Sequence, residues 1–101
     1  MITEHALLPV LPGQEAQFEA AFAEARKIIA AMPGFVSLRL LRSQETPNRY
    51  LLLVEWASVQ DHTVGFRGSP QYQQWRELLH RFYDPFPDVE HYDDVHPAPE
   101  G

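Results

Sequence analysis

The chain has 101 residues, 45% hydrophobic and 22% charged, with no cysteine and a formal net charge of −6. That length supports one domain with one modest core, and the composition is too apolar for wholesale disorder. The acidic balance repels phosphate backbones and anionic lipid surfaces, which argues against nucleic-acid and membrane partners. Without cysteine there is no disulfide, thiolate metal site or thiol chemistry, a pattern suited to a reducing cytoplasm. The N-terminus carries no basic-then-apolar leader, and no apolar run approaches the roughly 20 residues of a membrane span. The expectation is a soluble, cytoplasmic protein.

Residues 2–10 alternate as a strand, with Ile2, Glu4, Ala6, Leu8 and Val10 on one face and Thr3, His5 and Leu7 on the other. Pro9 and Pro12 end it. Residues 14–32 carry an apolar stripe, Phe18, Phe22, Ala25, Ile29 and Met32, at the four-then-three spacing of an amphipathic helix. Acidic residues early and Arg26/Lys27 late suit its dipole, and Pro33-Gly34 stops it.

A second strand is predicted over 35–43, with Val36, Leu38 and Leu40 on one side and Phe35, Ser37, Arg39 and Leu41 on the other. The polar stretch 44–48, containing Pro47-Asn48, reads as the turn of a hairpin. The strand that follows, 49–58, is the organising element: Leu51 to Val54 is apolar without a break, so both its faces need cover. Ser58 with Asp61 forms the acidic variant of a capping box and starts a short helix bearing Val59, His62, Thr63 and Phe66. Ser69-Pro70 restarts the helix, and Tyr72, Trp75, Leu78/Leu79 and Phe82 form a second stripe. Pro85 and Pro87 end it. A polar last strand over 89–96 suits an edge, and 97–101 reads as a frayed tail beyond a single domain of residues 1–96.

The order β-α-β-β-α-β is the split βαβ, or ferredoxin-like, α+β plan. Right-handed crossovers put both helices on one face of a four-stranded antiparallel sheet, leaving the other face bare. Because that bare face is apolar, it asks for a second copy of the chain.

With this layout, Pro33-Gly34-Phe35 entering the second strand, Glu55-Trp56 closing the third, Ser58 opening the next helix, and Ser69-Pro70 ahead of Tyr72 and Trp75 resemble the antibiotic biosynthesis monooxygenase family. The resemblance implies a homodimeric α+β barrel with a pocket between the sheet and helices of each subunit. It implies either oxygen insertion into polycyclic aromatic or quinol substrates without metal or flavin, or oxidative haem breakdown. Two departures stand out. Many members have histidine where this chain has Phe66, and the haem-degrading branch has histidine where this chain has Arg76 and an asparagine on the first strand, which residues 2–10 lack. His80 lies one turn beyond Arg76 and reads as a solvated helical histidine, so haem degradation is not expected.

The candidate catalytic residues are His62, inward beside Val59 and Phe66, and His5, facing Thr3 and Leu7. A neutral imidazole can take the proton of an acidic phenol, and the plainer reading of each is a half-buried histidine bonded to a carbonyl. Trp56, Phe66, Tyr72 and Trp75 are the candidate substrate-binding wall, against the plainer reading as core; Arg39 is a candidate anion binder or an intersubunit salt-bridge partner. His91 with Asp93, and Asp94 with His96, offer two metal ligands each, and two ligands do not make a site, so no metal and no cofactor is expected. Ser69 is a cap rather than a nucleophile. The expected function is cofactor-independent oxygenation of a small aromatic or quinol compound; the alternative is a non-catalytic small-ligand-binding or interaction module on the same barrel.

Overall fold

The computed structural model describes residues 1–95. Its elements follow the predicted order: β1 (Ile2–Pro9), α1 (Glu15–Ala30), β2 (Phe35–Arg42), β3 (Arg49–Trp56), a π-helical turn (Asp61–Phe66), α2 (Pro70–Leu79), a 3-10 turn (His80–Phe82) and β4 (Val89–Tyr92). The strands form an open antiparallel sheet in the order β2-β3-β1-β4. His96 and the tail 97–101 lie outside the described residues.

Period-two alternation sets the two faces of this sheet. Opposite one another on the helix side stand Glu4 and Val54, Ala6 and Leu52, and Leu8 and Tyr50, all buried. The other side pairs His5 with Leu53 and Leu7 with Leu51, and Arg39 lies opposite Leu53 from β2. The unbroken run in β3 therefore divides as expected. Leu52 and Val54 enter the core, while Leu51 and Leu53 are half-buried on the bare face.

The core is built by α1 through Phe18, Phe22, Ala25 and Ile29, and by α2 through Trp75 and Leu79. Phe22 meets Trp75 edge-on at 5.9 Å, joining the helices above the sheet. Each of the large apolar side chains, Phe18, Phe22, Ile29 and Leu79 among them, contributes about 1.5–3 kcal/mol by leaving water.

The second strand departs from simple alternation. A bulge at Val36 sets Phe35 opposite Trp56 and Ser37 opposite Glu55, so Phe35 joins Leu38 and Leu40 on the helix side instead of facing away from them. Val36, expected beside Leu38, is exposed. The strands also stop earlier than expected, β3 at Trp56, where the chain turns into the cap at Ser58, and β4 at Tyr92.

The expected caps form. Ser58 Oγ accepts from Asp61 N at 3.2 Å, while the Asp61 carboxylate accepts from Ser58 N at 3.1 Å. Ser69 Oγ accepts from Tyr72 N at 3.2 Å, with Pro70 in the first helical turn. Gly34, at φ 83°, lies so close to Asp61 that a Cβ would overlap its carboxylate. This glycine thus ends α1 and leaves room for the cap of the next turn.

Candidate functional site

A cavity of about 470 Å³ opens between the helix side of the sheet and α2. Ala6, Leu8 and Leu52 form its floor; His62, Phe66, Tyr72 and Trp75 form one wall, and Tyr83 and Phe86 close the far end. The segment after the 3-10 turn is pinned over that end, since Asp84 N donates to Pro9 O at 2.9 Å and Tyr83 bridges to Val10.

The π-helical turn places His62. Its backbone closes through Arg67 N to His62 O at 3.0 Å, the long-ring bond of a π turn, and both His62 and Phe66 point down to the sheet. Trp56 stacks on His62 with ring centroids 5.4 Å apart and an interplanar angle of 15°. Phe66 meets Tyr72 and Trp75 edge-on at 5.2 and 5.6 Å. The aromatic residues singled out by sequence are therefore contiguous. Trp56 is fully buried and acts as backing to His62 and Phe66, with the other three lining the cavity.

At the sheet end of this wall stands a buried carboxyl. Glu4 Oε1 accepts from Trp56 Nε1 at 3.0 Å and lies 3.4 Å from His62 Nε2. On the other side of the imidazole, His62 Nδ1 is 2.8 Å from His91 Nε2, delivered by β4 because His91 is paired with Glu4 across the sheet. Burial raises the carboxyl pKa of Glu4, opposed by the Trp56 hydrogen bond and the nearby Arg67 charge. Burial also pushes His62 down to about 3, helped by the positive charge of Arg67 and by His91. With the imidazole held neutral, the 3.4 Å approach is not an ion pair. Tyr83, across the cavity, has its phenol pKa raised by burial and by Glu4. His80 is lowered by burial and Arg76.

His5 and Arg39 are not part of this cavity. Both lie on the bare sheet face, where His5 packs edge-on against Tyr92 at 5.4 Å. His91, considered from sequence as half of a metal pair with Asp93, is turned to His62 instead. Among the described residues, no three His, Asp or Glu side chains converge as metal ligands.

A larger and more open hollow, about 640 Å³, lies between α1 and the β2 edge. Of its three charged groups Arg26 is exposed, while Glu19 and Arg42 pair with each other at 3.3 Å and Tyr50 donates to Glu19 at 2.6 Å. Glu19, Arg42 and Tyr50 satisfy one another, and no buried ionisable group is left pointing into that space. The buried ionisable groups Glu4 and His62 line the smaller cavity instead.

Sequence reasoning missed Glu4, Arg67 and Tyr83. Glu4 had a signal: it is the single charged residue on an apolar strand face otherwise made of Ile2, Ala6, Leu8 and Val10. Arg67 and Tyr83 had none, because the π turn and the strap after α2 bring them to the cavity without periodicity.

A family model described as antibiotic biosynthesis monooxygenase matches residues 1–78. The Bacillus subtilis protein YczJ, itself uncharacterized, is 52% identical over 95 residues, covering 94% of this chain and all of YczJ. A crystal structure of a Bordetella bronchiseptica protein assigned to the antibiotic biosynthesis monooxygenases superposes with a TM-score of 0.90 at 41% identity, covering 94% of this chain and 97% of that one. SnoaB, a cofactor-independent oxygenase from Streptomyces nogalater, shares the fold with a TM-score of 0.85 at 23% identity over 98% of this chain and 97% of its own. The chain belongs to the antibiotic biosynthesis monooxygenase family.

Proposed function

We propose that this protein is a cofactor-independent monooxygenase of a small aromatic or quinol compound bound in the cavity between sheet and α2. The observation that carries the reading is the cavity itself: an aromatic wall of Phe66, Tyr72 and Trp75, set edge-on to one another, beside a buried carboxyl–imidazole pair, Glu4 and His62. Planar apolar ligands need such a wall, and a group that removes a proton from them needs to be within reach and sheltered from water. The family membership and the shared fold of SnoaB support the same reaction type.

In this reaction, removal of a proton from an acidic C–H or O–H leaves an electron-rich anion. The anion gives one electron to dioxygen, and the resulting substrate radical and superoxide combine through a new C–O bond to a peroxide. Loss of water from the peroxide leaves a carbonyl. One oxygen atom enters the substrate, the other leaves as water with the two substrate hydrogens, and no outside reductant is used.

The test is oxygen uptake with a panel of quinols and anthrones, read together with mass analysis under isotopically labelled dioxygen. Incorporation of one labelled atom is expected. Uptake no greater than in buffer for the whole panel overturns the oxygenase reading. One observation favours a binding module instead: Phe66 replaces the histidine that many relatives carry, and His62, held near 3, is a weak proton acceptor alone. Capture of an unchanged aromatic ligand by native mass spectrometry, without uptake, would establish that alternative.

We also propose that the protein works as a homodimer, the bare faces of two sheets covering each other to complete the barrel. Leu7 and Tyr92 are exposed on that face, beside half-buried Leu51 and Leu53. Covering an apolar sheet face is what stabilises such a pair.

A further inference from the structure

On the oxygenase reading, a group in the cavity must take the substrate proton, and His62 is poorly placed to be that group. Its Nδ1 is occupied by His91 Nε2 at 2.8 Å, and its Nε2 faces Glu4 rather than open space. We infer that Glu4 is the catalytic base, that His62 is a positioning residue held beside it as the neutral Nε2–H tautomer, and that His91 sets that tautomer by donating from Nε2 to His62 Nδ1.

Four observations converge on this assignment. Both contacts of the Glu4 carboxyl, from Trp56 Nε1 and His62 Nε2, fall on Oε1, and among the described residues Oε2 takes no protein hydrogen bond. Glu4 lines the cavity although its residue is only 5% exposed, so the oxygen left over is offered to whatever occupies that space. Glu4 is the one carboxylate among the buried polar residues, at a position where β1 otherwise presents Ala6 and Leu8. The cross-strand register that sets His91 opposite Glu4 also brings His91 to the far side of His62, so two strands and the π turn converge on one carboxyl.

The chemistry fits a carboxyl whose proton affinity is raised by burial, because a base closer in strength to an acidic phenol transfers more readily. A neutral His62 matters equally. An imidazolium there would hold the carboxylate in an ion pair and weaken it as a base. The proton balance closes within the site: Glu4 takes a proton from the substrate and returns it to the hydroxide that leaves when the peroxide collapses, so the carboxylate is regenerated without export of a proton.

The experiment uses the full chain and has one arm free of turnover. Nitrogen-15 histidine spectra of the ligand-free protein report the tautomer, and a hydroxyanthraquinone, which changes colour when its phenol ionises, reports proton transfer without oxygen chemistry. His62 should be Nε2–H in the wild type and become a tautomer mixture in His91→Phe. Bound hydroxyanthraquinone should show the ionised spectrum with wild type and the neutral spectrum with Glu4→Gln, at similar affinity. With a quinol or anthrone that turns over, Glu4→Gln should lower kcat about 100-fold with little change in KM, the scale of losing a general base. Glu4→Asp should recover part of it, and His91→Phe should lower kcat about tenfold, less than loss of the base itself.

Glu4→Gln keeps an acceptor for Trp56, and its thermal melt confirms that it folds. An Nδ1–H tautomer at His62 in the wild type, or the ionised spectrum or full kcat surviving in Glu4→Gln, overturns the assignment. If the wild type oxidises nothing in the panel, the oxygenase reading fails separately, and the tautomer and ionisation arms still decide whether Glu4 is the base.

Discussion

At the scale of single residues, the two buried titratable groups of the site, Glu4 and His62, pull stability in opposite directions with pH. Burial pushes the His62 pKa down to about 3 from its ordinary value of 6.5. The unfolded chain therefore binds its proton first. Its contribution is complete above about pH 6.5 and is lost as pH falls toward 3. Glu4 has a folded pKa raised above 4.5, so its contribution is complete at acid pH and is lost as pH rises through the raised value. The groups facing this pair are His91 from β4, Arg67 after the π turn and Tyr83 after the 3-10 turn; His91, itself lowered by burial and Arg67, adds a slope of the same sign as that of His62. Above 4.5 the slopes of Glu4 and His62 oppose each other until pH reaches the raised Glu4 value. In Glu4→Gln the His62 slope is unopposed, so stability should fall with acidification by up to about 1.4 kcal/mol per pH unit below pH 6.5 from His62 alone. Denaturant melts of both proteins across pH 4 to 7 measure it, and a pH-independent difference between them would remove the argument. Trp56→Phe, which strips a buried carboxyl of its donor, should cost about 2 kcal/mol by the same melts at neutral pH.

At the scale of elements, the joint between α1, β2 and the π turn holds the site in place. Gly34 and Ser58 both act through Asp61 there. Gly34→Ala must distort a positive-φ residue and displace the Asp61 carboxylate, so it should cost about 2–3 kcal/mol, against about 1 kcal/mol for Ser58→Ala at the cap alone. Chemical denaturation of the two variants decides between them; equal losses would mean that the carboxylate moves aside freely. The meeting of Gly34 and Ser58 at Asp61 was not legible from sequence, while the cap at Ser58 and the glycine stop at Gly34 were, because both signals are local. So were the order of elements and the aromatic wall, since stripes such as Phe18-Phe22 and Tyr72-Trp75 are set by helical period alone. What was not legible is whatever depends on register or on irregular backbone. The bulge at Val36 reversed the facing of Phe35, and the pairing of Glu4 with His91 depends on how β1 and β4 align. His5 reads as equivalent to His62 in a list of histidines, yet strand parity alone puts it on the other face of the sheet.

At the scale of the whole molecule, the sheet has one face covered by helices and one that is not. The uncovered face is aliphatic along its middle, Leu7, Leu51 and Leu53, with His5, Arg39 and Tyr92 around it. Proteins with such faces associate. Light scattering at micromolar concentration should therefore report a dimer for the wild type and a monomer for Leu51→Asp, which places a charge at the centre of the face. A monomeric wild type would contradict the homodimer. Among the described residues no helix is long and apolar enough to cross a membrane.

Short as it is, β4 ties these scales together. It contributes four residues and has β1 as its sole neighbour in the sheet, so it should open locally more often than the paired strands β1 and β3. His91 leaves His62 whenever it does. The fraction of molecules with a correctly held imidazole is then a population governed by an edge-strand opening equilibrium, and apparent activity scales with that fraction. Amide exchange at residues 89–92 should be faster than at 51–54. Anything that clamps β4, whether a ligand under the strap or a second copy, should slow that exchange and raise activity together.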